Sequence, residues 1–551
     1  MLSSIEFKFG AAEGHPPLVL QTPPSVTIFV GPNNSGKSQA LREIGSFFHN
    51  GQSEGKILKS VTFNSFTKEE ARAELEALMD EPRHGELLSH DHVMIKWSRG
   101  RNQIHVPSFM ELLPNPSANP AAFANYYSSK YILALDGPSR IQLLNAQPRG
   151  DLKYPDSIFA RLLTDDQRRT DLRKLINEAT GLTLVLDASV GDQVNVRFGR
   201  GEPPNERSFE EATLEYMRNA QGVEAVSDGV KAFAGILLQL HVGSPKVITV
   251  DEPEAFLHPS LAFKLGKELA RGAVDEKKHI FASTHNAQFL MGAIVSGASV
   301  NIVRLTYNGG RATARLLQSS DLRVLMQDPL LRSVGVLEGL FYDYVIVGEA
   351  NADRAFYQEV NERLLAAGDA RGIPHALFLN ADNKQTIPRI IAPLRKLGIP
   401  AAGITDIDIL KDGGGEWTRQ LQAAGIPQGE FEAYQNRRKT VLKALQDTGK
   451  EFKREGGTVL LAGEDAEMAR NLLSDLRRYG LFVVSGGEVE NWLEDLKVDR
   501  GKSAWLRSIF EKMGADPRDD DYLKPAKGDV WDFVGEVGSW LKDNTRSGIP
   551  Y

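Results

Sequence analysis

The residues Gly31-Pro32-Asn33-Asn34-Ser35-Gly36-Lys37-Ser38 fit the pattern G-x-x-x-x-G-K-[ST] and directly follow the apolar run Val26-Thr27-Ile28-Phe29-Val30. A strand that turns into a helix through such a loop is the setting of a phosphate-binding site. Glycines let backbone N–H groups close around phosphate oxygens, and the next helix, expected over Gln39–Phe48, points its positive N-terminal end at them. Gly31, Asn33, Asn34, Ser35 and Gly36 are expected to line the phosphates, Lys37 to bridge the β and γ oxygens, and Ser38 to bind Mg²⁺. A second apolar run, Lys246-Val247-Ile248-Thr249-Val250, ends in Asp251-Glu252-Pro253. Two acids at the end of a buried strand need a cation nearby to offset their desolvation. Asp251 is therefore assigned to the Mg²⁺ shell and Glu252 to polarising a water, and the chemistry expected of the set is ATP hydrolysis.

Two further pieces flank the second strand. Val226-Ser227-Asp228-Gly229-Val230-Lys231 opens a helical run to Leu240, and Ile280-Phe281-Ala282-Ser283-Thr284-His285 ends another apolar strand. In this order the four resemble the phosphate loop, signature, Walker B and switch-histidine series of ABC-type ATPases, with Pro253–Pro259 as the loop after Walker B. The resemblance implies that Ser227 and Gly229 of one subunit contact the γ-phosphate bound by another, that His285 serves catalysis, and that the protein is a homodimer or a higher homo-oligomer. About 190 residues separate Lys37 from Ser227 and carry no sustained heptad pattern, which excludes a long coiled-coil arm.

Acids recur at strand ends in the last third of the chain. Tyr344-Val345-Ile346-Val347-Gly348 runs into Glu349 and a helix over Arg354–Leu365; Ala376–Asn380 precedes Lys384 and a helix over Thr386–Leu397; Ala401–Thr405 runs into Asp406-Ile407-Asp408. Strands and helices alternate as in a doubly wound sheet, where ligands bind at the carboxyl ends of the strands. The arrangement resembles the TOPRIM domain of topoisomerases, primases and nucleases, and with the ATPase motifs before it the chain resembles the OLD family of ATP-dependent endonucleases over nearly its whole length. Gly348-Glu349-x-x-x-Asp353 matches the first acidic motif and Asp406-x-Asp408 the second. In Ser485-Gly486-Gly487-Glu488-Val489-Glu490, Glu490 rather than Glu488 is taken as the further metal-binding acid, and the late family lysine is placed at Lys527, with Lys524 as the alternative. The resemblance implies that Glu349, Asp353, Asp406, Asp408 and Glu490 hold two Mg²⁺ or Mn²⁺ ions, with Lys527 neutralising the scissile phosphate. It further implies DNA as substrate, antiphage defence as the role and a separate partner protein in some members. A different reading is a sensor ATPase whose TOPRIM domain cleaves RNA, such as transfer RNA, after a trigger.

The elements around these residues divide the chain, on this reading, into an ABC-type α/β ATPase head over 1–321 (with 141–220 as its helical and dimerisation part), a linker over 322–341 and a TOPRIM, Rossmann-like domain over 342–551 with a helical insert over 411–480. From Arg437 to Glu455 the insert carries seven basic and three acidic residues beside Tyr434 and Phe452, a surplus that could follow a phosphate backbone. Lys384, Arg389, Arg395 and Lys396 suggest a second basic wall. The chain of 551 residues is 41% hydrophobic and 25% charged with a net charge of −7, which suits a multidomain globular enzyme and argues against a uniformly basic coat. Zero cysteine excludes disulfides, thiolate catalysis and cysteine-bound zinc. His84, His90 and His92 match no metal-binding helix motif and read as a solvated loop. No apolar stretch long enough for a membrane span and no signal pattern is seen, so a cytoplasmic location is expected.

Overall fold

A computed structural model describes residues 1–82, 85–97, 100–499, 501 and 504–549, which places His84 outside the described residues. The chain divides into two compact units, Met1–Arg323 and Val324–Tyr551. Among the described residues no helix is long and apolar enough to cross a membrane.

The first unit is built on a six-stranded sheet in the order Arg311–Leu317, Val300–Asn308, Val26–Val30, His279–Ser283, Val247–Asp251, Ile132–Leu135. All neighbours are parallel except the outer hairpin of Val300–Asn308 and Arg311–Leu317. Val26–Val30 is buried at every residue, as a central parallel strand covered on both faces must be. The helix after the phosphate loop runs over Lys37–Asn50, starting two residues before the expected Gln39, because Gly36 in a left-handed conformation ends the loop there. A three-stranded antiparallel sheet (Val19–Gln21, Leu2–Phe7, Leu58–Phe63) packs on it through Ile5, Phe7, Ile44 and Phe48. Between these pieces and the Asp-Glu strand, residues 141–220 form helices Ile158–Thr164 and Asp166–Thr180 and an antiparallel sheet centred on Gln193–Gly199. His92 opens the hairpin strand His92–Trp97 rather than lying in a loop.

The second unit carries four parallel strands in the order Ala376–Asn380, Tyr344–Gly348, Ala401–Thr405, Leu481–Val483. The helices Asn351–Ala366 and Ile387–Lys396 follow the first two in sequence. The helix Asp529–Lys542 closes the core, setting Trp531, Phe533 and Trp540 among Phe356, Tyr357, Phe482 and Trp505. Arg395, 1% exposed, donates to the carbonyls of Ala401, Ala424 and Gly480 and lies 5.1 Å from the ring centre of Trp540. Segment 322–341, expected to be a linker, is instead helical and packed. It forms Pro329–Val334 and a 3-10 turn Val336–Phe341, with Leu325, Leu331, Leu337 and Leu340 buried. Gly339 sits so close to the next elements that an added Cβ would stand 2.9 Å from Leu394 and 3.2 Å from Val345.

Candidate functional site

The phosphate loop depends on two glycines for different reasons of space. An added Cβ at Gly31 would stand 2.0 Å from the Leu305 carbonyl oxygen, and one at Gly36 would stand 2.6 Å from Ile57 Cδ1; both residues have left-handed φ, 141° and 94°. Asn33 and Asn34 lie exposed on the loop, and Ser35 is buried. The Lys37 ammonium turns into the loop and donates to Gly31 O at 2.9 Å, Pro32 O at 2.6 Å and Ser35 Oγ at 3.3 Å. Burial pulls its pKa down to about 8 against the opposing pull of Glu252 and Asp251. Ser38 Oγ donates to Asp251 Oδ1 at 3.0 Å, so the two residues expected to share Mg²⁺ meet across 213 positions of sequence. The parallel register sets Asp251 opposite Ser283, whose hydroxyl donates to the same oxygen.

Glu252 stands just past the strand end in a left-handed conformation, φ 49°, which is strained for a residue with a side chain. Its N–H donates to Ser283 O at 3.0 Å and its carbonyl accepts from the guanidinium of Arg140, a side chain 2% exposed. These bonds hold the strained turn and leave the carboxylate half exposed, with His285 Nε2 3.9 Å from Oε1. The His285 pKa is lowered, first by burial and then by the charge of Lys37. Glu254 is buried, accepts from Thr284 Oγ1 at 2.7 Å and from the His285 N–H at 3.0 Å, and so fixes the turn that carries the histidine. Burial pushes the Glu254 pKa up. Arg140, Glu254 and Ser283 were not singled out from sequence. Only Ser283 had a usable signal, its place beside Asp251 in any parallel pairing of the two strand ends.

Ser227 caps the helix Asp228–His241, accepting from the Val230 N–H at 3.4 Å, and is exposed. Gly229 is buried against the loop after the Asp-Glu strand: a Cβ there would stand 2.7 Å from the Phe256 carbonyl oxygen. The donor set of loop N–H groups, Lys37, Ser38 and Asp251 fits ATP with Mg²⁺, the cation supplying positive charge beside the phosphate oxygens.

In the second unit Glu349, Asp406 and Asp408 each offer a carboxylate oxygen within 4.8 Å of one another. The register explains the gathering: Val347 pairs with Gly403 on adjacent parallel strands, so Glu349 and Asp406 both stand just past the strand ends. Glu349 Oε1 accepts from the Asp406 N–H at 2.8 Å, and Asp353 accepts from the Ala350 N–H at 2.9 Å at the start of its helix. Burial, and next the charge of Asp406, pushes the Glu349 carboxyl up to about 8 and that of Asp353 to about 7. The Asp406 pKa is also raised, chiefly by burial. Glu490 is half-buried and close enough for its charge to act on Asp353 and Asp406, whereas Glu488 is 3% exposed with Arg454 4.0 Å away.

The lysine at these acids is not the one expected. Lys527 and Lys524 are exposed on the segment before Asp529–Lys542, and neither forms an ion pair with the acids among the described residues. Lys453 Nζ instead lies 2.8 Å from Asp406 Oδ2 and 3.2 Å from Asp408 Oδ2, and Lys384 Nζ 3.1 Å from Asp408 Oδ1. Burial lowers the Lys453 pKa, but Asp406 and Asp408 outweigh it and hold the group above the usual lysine range. The basic insert also differs from expectation. Tyr434 and Phe452 are 3% and 4% exposed core residues, Arg438 is buried on the Leu410 carbonyl, and Arg437 pairs with Asp475. Of the second basic wall, Arg395 is buried and Arg389 pairs with Asp328.

A family described as "AAA domain, putative AbiEii toxin, Type IV TA system" matches residues 26–291. No curated protein matches the chain. Among solved structures, an Smc head bound to the C-terminal winged-helix domain of ScpA is similar at 13% identity and TM-score 0.35, covering 59% of this chain and 99% of that one. The SMC head domain from Thermotoga maritima is similar at 11% identity and TM-score 0.30, covering 57% and 99%. An Smc head with an extended coiled coil, bound to the C-terminal domain of ScpA derived from Pyrococcus furiosus, is similar at 11% and 0.30, covering 59% and 98%. The matched span holds the phosphate loop, the signature helix, the Asp-Glu strand and His285, and together these support an ABC-type P-loop ATPase in the first unit.

Proposed function

We propose that the chain is an endonuclease of the OLD type, in which a homodimeric ABC-type ATPase head is joined to a TOPRIM nuclease that nicks or cleaves DNA with Mg²⁺ or Mn²⁺. The observation that carries this reading is the meeting of Glu349, Asp406 and Asp408 at the ends of adjacent parallel strands. Hard divalent cations take carboxylate oxygens, and the donor set is of that kind. Such a cation would supply positive charge to the phosphoryl oxygens. Asp353 and Glu490 stand behind the three acids, and the ammonium groups of Lys453 and Lys384 add fixed positive charge. Hydrolysis needs no other reactant: a water oxygen bonds to phosphorus, the bond to one sugar oxygen breaks, and the water's protons are shared between the sugar hydroxyl and solvent. Lys439, Lys443, Lys450 and Arg454 remain exposed on the insert and give it a basic outer face for the backbone of the substrate. A cytoplasmic place in antiphage defence accords with the toxin–antitoxin wording of the matched family's description.

The test is cleavage of supercoiled plasmid and of transfer RNA by the full-length protein with Mg²⁺ or Mn²⁺, with and without ATP. Glu349→Gln and Asp406→Asn should each lower plasmid nicking by at least about a hundredfold, the scale of losing a charge-stabilising group. Cleavage of RNA alone would keep the site and change the substrate. Cleavage undiminished in both variants would remove the nuclease reading.

A further inference from the structure

The acids of the second unit are compensated on one side only. Lys453 bridges Asp406 Oδ2 and Asp408 Oδ2, and Lys384 meets the other Asp408 oxygen and donates to the Asp408 carbonyl at 2.9 Å. Among the described residues no ammonium or guanidinium lies within ion-pair distance of Glu349 or Asp353; Glu349 accepts from the N–H of Asp406, and Asp353 from that of Ala350. Both oxygens of Asp408 and one of Asp406 therefore face protein cations, and Glu349 does not.

Lys453 reaches this place from a backbone that has no room to move. Its carbonyl oxygen would lie 2.0 Å from a Cβ added at Gly487, a residue with φ 125° in the turn that leads to Glu490. Phe452 beside it is buried, takes the Lys411 ammonium 4.8 Å above its ring, and accepts from the Gly457 N–H at 2.8 Å. The Thr458 N–H donates to Ser485 O at 2.8 Å, and a Cβ at Gly457 would stand 2.1 Å from that same oxygen. A lysine on a mobile loop loses side-chain and backbone freedom when it pairs; here the packing of the two turns has already fixed the backbone. Glu349, Asp353, Asp406, Asp408 and Glu490 face two ammonium groups, and Lys384 shares its charge with Asp412 at 3.5 Å, so the cluster keeps a negative surplus for a divalent cation to offset.

We propose that this site takes a single divalent cation, held by Glu349 and Asp406, and that the Lys453 ammonium is a resident second charge standing between Asp406 and Asp408 where a second cation would otherwise bind. The inference rests on the nuclease reading and deepens it. Lys453 then supplies charge to the substrate phosphate without having to be loaded, and the enzyme's cation requirement is that of one site. It replaces the pair of metal ions expected from the acids alone.

The experiment counts ions rather than products. Full-length, nucleotide-free protein carrying Asp251→Asn, which removes the head's carboxylate for a cation, is titrated with Mn²⁺ and followed by calorimetry and electron paramagnetic resonance. One ion per chain with no spin coupling is expected while Lys453 is present. In Lys453→Ala a second ion should bind and couple magnetically to the first, since paired ions in such sites lie about 3.5–4 Å apart. Two coupled ions with Lys453 intact, or one ion of equal affinity in both proteins, would overturn the proposal and leave the nuclease reading standing. No ion in either protein, with Glu349→Gln making no difference, would overturn both.

Discussion

Lys37 shows how the burial of one charge sets a measurable property of the site. Its ammonium is held by loop carbonyls and pulled down to about 8, while the charges of a bound triphosphate favour the protonated form. Above that pH, ATP binding must therefore take up a proton. Calorimetry near pH 8.5 in buffers of different ionisation enthalpy should show heats that track the buffer, and affinity should fall by up to about tenfold for each further pH unit. Identical heats in every buffer would contradict this origin for the shift. The acids of the second unit make folding stability, rather than ligand affinity, depend on pH. Glu349 is raised from 4.5 to about 8 and Asp353 from 3.8 to about 7. Below the lower values folded and unfolded chains are both protonated; as pH rises the unfolded chain ionises first, so stability is lost until the folded pKa is passed. Without divalent cation the melting temperature should drop between about pH 5 and pH 8, and Mn²⁺ should recover more of it at the upper end. A melting temperature flat across that range in chelator would refute it. Glu349, Asp406 and Asp408 were legible in the sequence because an acid after an apolar run marks a strand end. Lys453 was not: it lies 45 residues beyond Asp408, within a run of basic residues, and only the packing of Gly487 on its carbonyl brings it back.

Whole elements were easiest to read where one face or both faces are apolar. The strands ending at Val30, Asp251, Ser283, Gly348 and Thr405 came through as short apolar runs, as did the helix opened by Ser227. Segment 322–341, expected to be a linker, is helical, with Pro329 and Gly335 at helix boundaries. Pro329 starts a helix, with Asp328 accepting from the Leu330 N–H at 2.9 Å, and Gly335 ends it in a left-handed conformation. Tyr434 and Phe452 misled, since aromatics among basic residues read as a binding face until tertiary packing places them inside. The helix after the phosphate loop has an anchor that no motif announces. Glu43, 1% exposed, accepts from the backbone N–H groups of Lys56, Ile57 and Leu58, with distances from 2.7 to 3.2 Å. This ties Lys37–Asn50 to the start of the strand Leu58–Phe63. Glu43→Ala leaves those donors without their carboxylate and should destabilise the first unit by about 3 kcal/mol, read as a lower denaturation midpoint. A change below about 0.5 kcal/mol would mean that water replaces the carboxylate at no cost.

At the scale of the molecule, the proposed function has the head act together with a second copy of itself. Ser227 and Asp228 are exposed at the helix start, a position open to a partner. The Glu252→Gln protein should bind ATP, hydrolyse it slowly and shift toward dimer in light scattering. Ser227→Arg should bind ATP as a monomer with turnover at least about tenfold lower, and full turnover in that variant would argue against action in trans. If head closure governs cutting, ATP must favour one arrangement over the other. Glu252→Gln and Lys37→Ala should then differ about tenfold in nicking at saturating ATP, roughly 1.4 kcal/mol. Equal rates would mean the two activities share only a chain. The second unit also has an order of completion. Trp540 and Phe533 pack on Phe482, Phe533 packs on Trp492, and Asp529 accepts from the Leu493 N–H at 3.2 Å, so the strand and turn that deliver Glu490 lean on the final helix. Chains stalled on the ribosome with residues to Gly528 emerged should be cut by protease throughout 400–500, and protection should arrive with Asp529–Lys542. During translation, then, the acids exist before the centre they make, and on the proposed nuclease reading no cutting centre is assembled until Asp529–Lys542 is free to pack.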